Sequence, residues 1–305
     1  MDIGAVVVTY NRLEKLKKSL AAFADMTQLP KYVLVVDNAS TDGTDEYLET
    51  WKEQDVGFEK IVVHMEKNVG GSGGFHEGLR RSLALPADWI WVSDDDAYPA
   101  KDAFAQASHY LEACNAEDIA AVCAKVIKNG QLDVNHSKGY VQNGIFIKET
   151  IADSRQYETE QAFELFSLTY VGAVLNKSIL QKAGLPNKEY FIYWDDLEHG
   201  LRMKKYGKIL CVPSITAYHE VGKELDGINW RLYYSYRNMT DTYRKHFPGM
   251  CFAFYALKVK IKVLLNIISG RHNLKINILE AGFNDALHGK FGMHAVYRPG
   301  WKPEQ

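Results

Sequence analysis

An α/β fold, with a mostly parallel central sheet covered by helices on both faces and a helical C-terminal extension, is what this sequence predicts. Three observations predict it. Through about the first hundred residues, β-branched apolar runs alternate with helical patterns across short connections. The apolar runs are continuous, as strands buried on both faces require. The last part of the chain carries helical spacing only.

In order, "IGAVVVTY" is a strand, "RLEKLKKSLAAF" a helix, "YVLVVDN" a strand and "TDEYLETWKEQ" a helix. "KIVVHME", the helical "GFHEGLRRSLAL" and "DWIWVSDDD" complete a βαβαβαβ series. The rhythm changes near Ala120: "QLDVNHSKGYVQNGIFIKE" predicts paired strands, "LTYVGAVLNKSILQKAG" a strand and then a helix, and "WDDLEHGLRMKKYG" a helix closed by Gly207. The apolar "KILCVPSITAYHE" precedes helices expected from about Asn229 to His246, Phe252 to Ile268 and Leu274 to Leu287. The expected organisation is a ligand-binding and catalytic domain over 1–228, followed by a helical region over 229–305.

Of 305 residues, 47% are hydrophobic and 24% charged, with 36 basic against 38 acidic side chains, so no global field favours nucleic acid or acidic lipid, and any charge effect must be local. Cys114, Cys123, Cys211 and Cys251 are widely spaced in apolar surroundings and read as reduced core residues, which favours the cytosol. The N-terminus lacks the basic lead of a signal peptide. "CFAFYALKVKIKVLLNIISG" is interrupted by Lys258, Lys260 and Lys262, which excludes a bilayer span. The same segment leaves open a peripheral contact with a membrane surface, against a helix packed on the domain or a partner. Lys260 lies off the face shared by Lys258 and Lys262, which weakens the membrane reading.

Ligands of such sheets bind at the carboxyl ends of the strands. Those ends carry Thr9 with Asn11 and Arg12, Asp37 with Asn38, Asn68 ahead of a glycine run, and Asp94 to Asp96. Consecutive carboxylates after an apolar strand need compensation, most simply by a divalent cation. In extended backbone Asp94 and Asp96 point the same way, which makes them the metal-facing pair. "GGSGGF" lets backbone approach a ligand without Cβ interference, and the helix start after it offers N–H groups to an anion. The chain has neither GxxxxGK[ST] nor a GxGxxG turn after its first strand, which disfavours P-loop hydrolysis and dinucleotide redox chemistry. Asp195 and Glu198, three apart at a helix start, also suit a capping pair.

"VVVTYNR", "VVDNAST", the Asn-glycine loop and "SDDDAYP" resemble family 2 glycosyltransferases of the GT-A fold. The loop, "YFIYWDDLEHGLRMKKYG", "AYHEVG" and "WRLYYSYRN" resemble its galactofuranosyltransferase branch, and the likeness covers about residues 3 to 248. The resemblance implies an inverting transfer of galactofuranose from UDP-galactofuranose to a glycan, lipid-linked where the protein sits at the inner membrane face. Rhamnosyl transfer from dTDP-rhamnose and a non-catalytic sugar-nucleotide or glycan-binding subunit are the rivals, and oligomerisation stays open. It further implies that Thr9, Arg12, Asp37, Asn68, Gly71, Gly73, Gly74, Asp94 and Asp95 surround the donor. Asp94, Asp96 and His219 would hold Mn²⁺ or Mg²⁺, and Asp196 would be the general base. Trp194, Asp195, Glu198, Tyr236 and Arg237 would face the acceptor.

Overall fold

The computed structural model describes residues 1–222, 227–270 and 273–303. The first half runs β1 (Ile3–Thr9), α1 (Leu13–Ala24), β2 (Tyr32–Asp37), α2 (Thr44–Lys52), β3 (Glu59–His64), α3 (Gly70–Ser82) and β4 (Trp89–Asp94), as the apolar rhythm predicts. The short β5 (Ala97–Pro99), α4 (Ala103–Ala113), β6 (Ile119–Lys128) and β7 (Gln131–Leu132) follow. A hairpin of β8 (Gly139–Asn143) and β9 (Phe146–Thr150) stands apart as a second sheet, the pair expected from "GYVQNGIFIKE". Then come α5 (Gln156–Thr159), β10 (Phe163–Glu164), β11 (Val171–Asn176), α6 (Lys177–Ala183), α7 (Asp195–Met203) and β12 (Lys208–His219). Helices α8 (Arg231–His246), α9 (Gly249–Ile268) and α10 (Leu274–Leu287) end the described elements, close to their predicted spans.

The main sheet has the order β10-β12-β6-β11-β4-β1-β2-β3. β1 pairs in parallel with β2 and β4, β2 with β3, and β6 with β12, whereas β11 runs antiparallel between β4 and β6. Strand alternation distributes the side chains of β1 between two cores. Ala5 and Val7 join Leu16, Leu20 and Phe23 of α1, Leu48 and Trp51 of α2, and Phe104 of α4. Val6 and Val8 join Phe75 and Leu79 of α3 on the other face. Both faces are thereby removed from water, which is why these strands read as unbroken apolar runs.

The C-terminal helices pack through buried Tyr233 and Tyr234 of α8 and Ile278 of α10, and the tail returns to the sheet domain, where Gly292 N–H donates to the Glu189 carbonyl. Cys123, Cys211 and Cys251 are buried and Cys114 is half-buried, all four as free thiols.

Candidate active site

The carboxyl ends of β1, β2 and β4 open into a cavity of 380 Å³ whose walls include Thr9, Arg12, Asn38, Asn68, Gly71, Asp94 and Asp95. The chain turns at Asp95 and Asp96 between β4 and β5, so the two side chains do not alternate as extended backbone would require. Both meet Arg12, whose Nη1 donates to Asp95 Oδ1 at 3.1 Å and Asp96 Oδ2 at 2.9 Å. Thr9 Oγ1 donates to Asp95 Oδ2 at 2.8 Å, and Lys15 Nζ to Asp96 Oδ2 at 3.0 Å. Arg12, at the N-cap of α1, and Lys15 within it thus meet much of the charge for which a divalent cation was the simplest expected compensation.

The three carboxyls respond differently. Burial opposes ionisation of Asp96, yet His219, Arg12 and Lys15 together hold it well below the usual carboxylate range. Burial pushes Asp95 up to about 6 despite Arg12. Asp94 is held well above its ordinary value by burial and then by the charges of Asp96 and Asp95.

The glycine run forms the first turn of α3, which begins at Gly70. Gly70 has φ 77°, and a Cβ there would lie 1.9 Å from the Phe191 carbonyl oxygen, so only glycine fits. Gly71 faces open space in the cavity wall, as a donor-facing glycine should. Gly73 and Gly74 do not join it: a Cβ on Gly74 would lie 2.5 Å from Val8, and one on Gly73 2.5 Å from Val69. Gly74 lets α3 pack closely on β1, while Gly73 borders a separate cavity of 530 Å³ that also includes Asn68. Asn68 ties the helix entrance together, its Oδ1 accepting from Gly70 N at 2.8 Å and Asn38 Nδ2 at 3.2 Å. Asp37 accepts from Ser40 N, meets His64 Nδ1 at 3.2 Å, and borders a separate depression of 420 Å³. Asn38 takes the cavity position beside Asn68 instead.

A second cavity, of 730 Å³, lies alongside and is lined by Trp194, Asp196, His219, His136, Tyr140 and Tyr236 among others. Arg231 borders both cavities. Asp195 and Asp196 open α7, and burial pushes both carboxyls up, Asp195 to about 7 and Asp196 to about 6. Asp196 Oδ1 accepts from Leu197 N at 2.7 Å, and the positive end of the helix dipole adds to this relief. Trp194 stacks near Tyr140, with ring centroids 4.9 Å apart.

Phe191, Tyr193 and Trp194, just before this acidic pair, have φ of 66°, 66° and 70°, a conformation that costs about 1–3 kcal/mol for each non-glycine residue. The Asn238 amide holds them there, donating to the carbonyls of Tyr190, Ile192 and Tyr193 at 3.0, 3.0 and 2.8 Å.

Arg237, expected at the acceptor, is buried, and its guanidinium donates to the carbonyls of Gly292, Glu189 and Tyr190. It fastens the strained loop rather than facing the cavity. Glu198 is likewise occupied, accepting from Arg202 Nε at 3.0 Å and meeting His246 Nε2 at 2.9 Å. The expected capping pair does not form: Trp194 takes the N-cap position with no side-chain cap, and Asp195 is the first helical residue.

Sequence reading missed Lys15, His136, Tyr140 and Arg231. His136 Nε2 lies 3.3 Å from His219 Nδ1, and His219 Nε2 lies 3.5 Å from Asp96 Oδ1. "VNHS" and "GYV" carry no local mark of this placement, because the excursion between β6 and β11 brings them to the cavity. Among the described residues, no three His, Cys, Asp or Glu side chains converge into a closed metal cage. Asp94 stands in the cavity wall with no cation at ion-pair distance among the described residues, and Asp96 adjoins an imidazole. A carboxylate beside an imidazole is the kind of donor a divalent ion accepts together with phosphate oxygens, although Arg12 and Lys15 also hold Asp96.

The mostly parallel sheet with helices on both faces and its ligand-sized cavity at the strand ends is the GT-A class of fold. Residues 5–183 match the profile "Glycosyl transferase family 2", and the chain belongs to that family. It is 30% identical over 206 residues to the galactofuranosyltransferase GlfT1 of Mycobacterium tuberculosis, covering 68% of this chain and 66% of that one. The chain therefore spans just under two thirds of that relative's length. It is 27% identical over 259 residues to the dTDP-rhamnosyl transferase RfbF of Shigella flexneri, covering 81% and 82% of the two chains. The mannosyltransferase PcManGT from Pyrobaculum calidifontis, solved with GDP-Man and Mn²⁺, shares the fold at a TM-score of 0.58 and 17% identity, over 94% of this chain and 87% of that one.

Proposed function

We propose that this protein is an inverting, divalent-metal-dependent glycosyltransferase that moves galactofuranose from UDP-galactofuranose to a glycan acceptor, with a lipid-linked glycan favoured. The observation that carries this reading is Asp196: a half-buried carboxyl raised toward neutrality, near the start of a helix and in the wall of a cavity that shares Arg231 with the one formed at the strand ends. Its carboxylate accepts the proton of the acceptor hydroxyl. The hydroxyl oxygen forms a bond to the anomeric carbon as the bond from that carbon to the diphosphate breaks, and UDP leaves on the opposite face. Trp194 and Tyr140 offer an aromatic wall to the acceptor sugar, with Tyr236 beside them. Asp195, expected at the acceptor, is buried and lines neither cavity, so Asp196 is the carboxylate of the pair that faces the acceptor. Thr9, Arg12, Asn38, Asn68 and Gly71 enclose the nucleotide and its phosphates.

Asp94, Asp96 and His219 are the residues that would hold Mn²⁺ or Mg²⁺, which when bound supplies positive charge at the leaving diphosphate. The names of the galactofuranosyltransferase relatives support the donor assignment. The longer match to a dTDP-rhamnosyl transferase favours a second reading in which dTDP-rhamnose is the donor. Purified protein given each donor with Mn²⁺ and a simple glycoside decides between them. Turnover of UDP-galactofuranose is expected; turnover of dTDP-rhamnose alone assigns the second donor. Donor binding without transfer to any glycoside overturns the enzymatic reading.

A further inference from the structure

The structure resolves the orientation of α9, which the sequence leaves undecided. Its buried side is marked by Val259 and Asn266. At roughly 100° per residue, Met250, Leu257, Ile261, Leu264 and Ile268 fall within about 30° of the opposite direction, and Leu265 within about 70°. All six are exposed, Leu264 at 55% and Ile268 at 72%. Lys258 lies along one border of this stripe and Lys260 along the other, about 70–90° from its centre, while Lys262 lies beyond Lys258 toward the buried Cys251 and Asn266. All three are exposed and have no carboxylate at ion-pair distance among the described residues, with Lys258 Nζ resting over the Phe146 and Phe254 rings at 4.8 and 4.7 Å. Lys260, off the face of the other two lysines, is thus the second flank of one stripe.

We propose that this face of α9 seats on an anionic lipid surface, its apolar stripe sunk below the headgroups and its lysines extended to phosphate on both sides. No described helix is long and apolar enough to cross a membrane. An interfacial helix needs only the exposed stripe and its flanks. Charge selects lipid over a second copy of the chain. α9 contains no Asp or Glu, so two-fold pairing through the stripe would set lysines against lysines with no acid of the helix to receive them. The neighbouring helix α8 contributes Ser235, Tyr236 and Met239 to the second cavity, so a chain seated through α9 holds that cavity near the lipid surface.

Flotation of the full chain with vesicles tests the seat. The wild-type protein is expected to float with phosphatidylcholine mixed with an equal part of phosphatidylglycerol, to be released by salt, and to stay behind with phosphatidylcholine alone. Lys258→Gln/Lys260→Gln/Lys262→Gln should weaken binding about 100-fold, the scale of three lysines near an anionic surface. Leu264→Glu/Ile268→Glu should abolish it with an unchanged Tm, because both side chains are exposed. Failure to float with either vesicle, or equal flotation with both, overturns the proposal. So does a dimer in sedimentation that Leu264→Glu dissociates, which assigns the face to a second copy. None of these readouts depends on which sugar is transferred.

Discussion

Asp95 and Asp96 are met by cations, whereas Asp195 and Asp196 are met by backbone. In the first cluster Arg12 and Lys15 reach across from α1, and the carboxyl they share, Asp96, stays ionised far below the usual range. In the second no cation stands at ion-pair distance among the described residues, and burial raises both carboxyls. Fixed opposite charges keep Asp96 ionised through the neutral range, whereas burial raises Asp95 to about 6 even beside Arg12. A helix N-terminus leaves the second able to take up and release a proton in the working range, as a base for a hydroxyl must.

The largest effect expected from breaking this contrast is at Asp196. Asp196→Asn should lower transfer by about 10²-fold or more while leaving donor affinity unchanged, measured by turnover and by titration with UDP. The pH profile of the wild type sharpens the same point. Because Asp196 titrates near 6, transfer should fall as pH drops through that value and the base becomes protonated. Stability should run the other way. A folded pKa raised from 3.8 to about 6 favours the protonated fold, so stability is given up as pH rises across that window. Asp196→Asn should therefore gain Tm over the wild type at pH 7 and lose that advantage at pH 4.

Next is the loop that aims the second cluster. Asn238→Ala removes the amide that holds three carbonyls of the strained segment, and about a tenfold loss in kcat is expected with the donor KM unchanged. A purely structural loss would instead lower Tm and leave the kcat of the folded fraction intact. The smallest effect is expected at Arg12, which is partly exposed. Arg12→Ala leaves Asp95 and Asp96 with less compensation, and a cost of about 1–3 kcal/mol in unfolding free energy is expected, with weaker UDP binding and little change in kcat at saturating donor.

Much of this architecture was legible in the chain. The strand and helix order through β4, the β8–β9 hairpin and the three C-terminal helices follow from apolar periodicity, because burial on one or two faces writes itself into local spacing. The strand-end residues Thr9, Arg12, Asn68 and Asp94 to Asp96 were legible for the same reason: a parallel sheet puts its loops at one rim. Arg237 and Glu198 were misread, since a motif states which residues recur together and not which way their side chains turn. Gly74 packs on Val8 instead of lining the strand-end cavity, because close helix packing and close ligand approach both require a missing Cβ. His136, Tyr140 and Arg231 left no local signal, as each reaches its cavity through contacts between segments distant in the chain.

The sequence by itself determined the layered α/β plan and the family, through patterns that each extend over a few residues to a few turns. Only the tertiary structure decided which charges meet: that Arg12 and Lys15 neutralise Asp95 and Asp96, that Arg237 and Asn238 hold a strained loop, and that Lys260 flanks the same stripe as Lys258. The physical reason is range. Periodicity is fixed by neighbours along the chain, whereas electrostatic compensation depends on distances of about 3–4 Å between groups that only the folded backbone brings together.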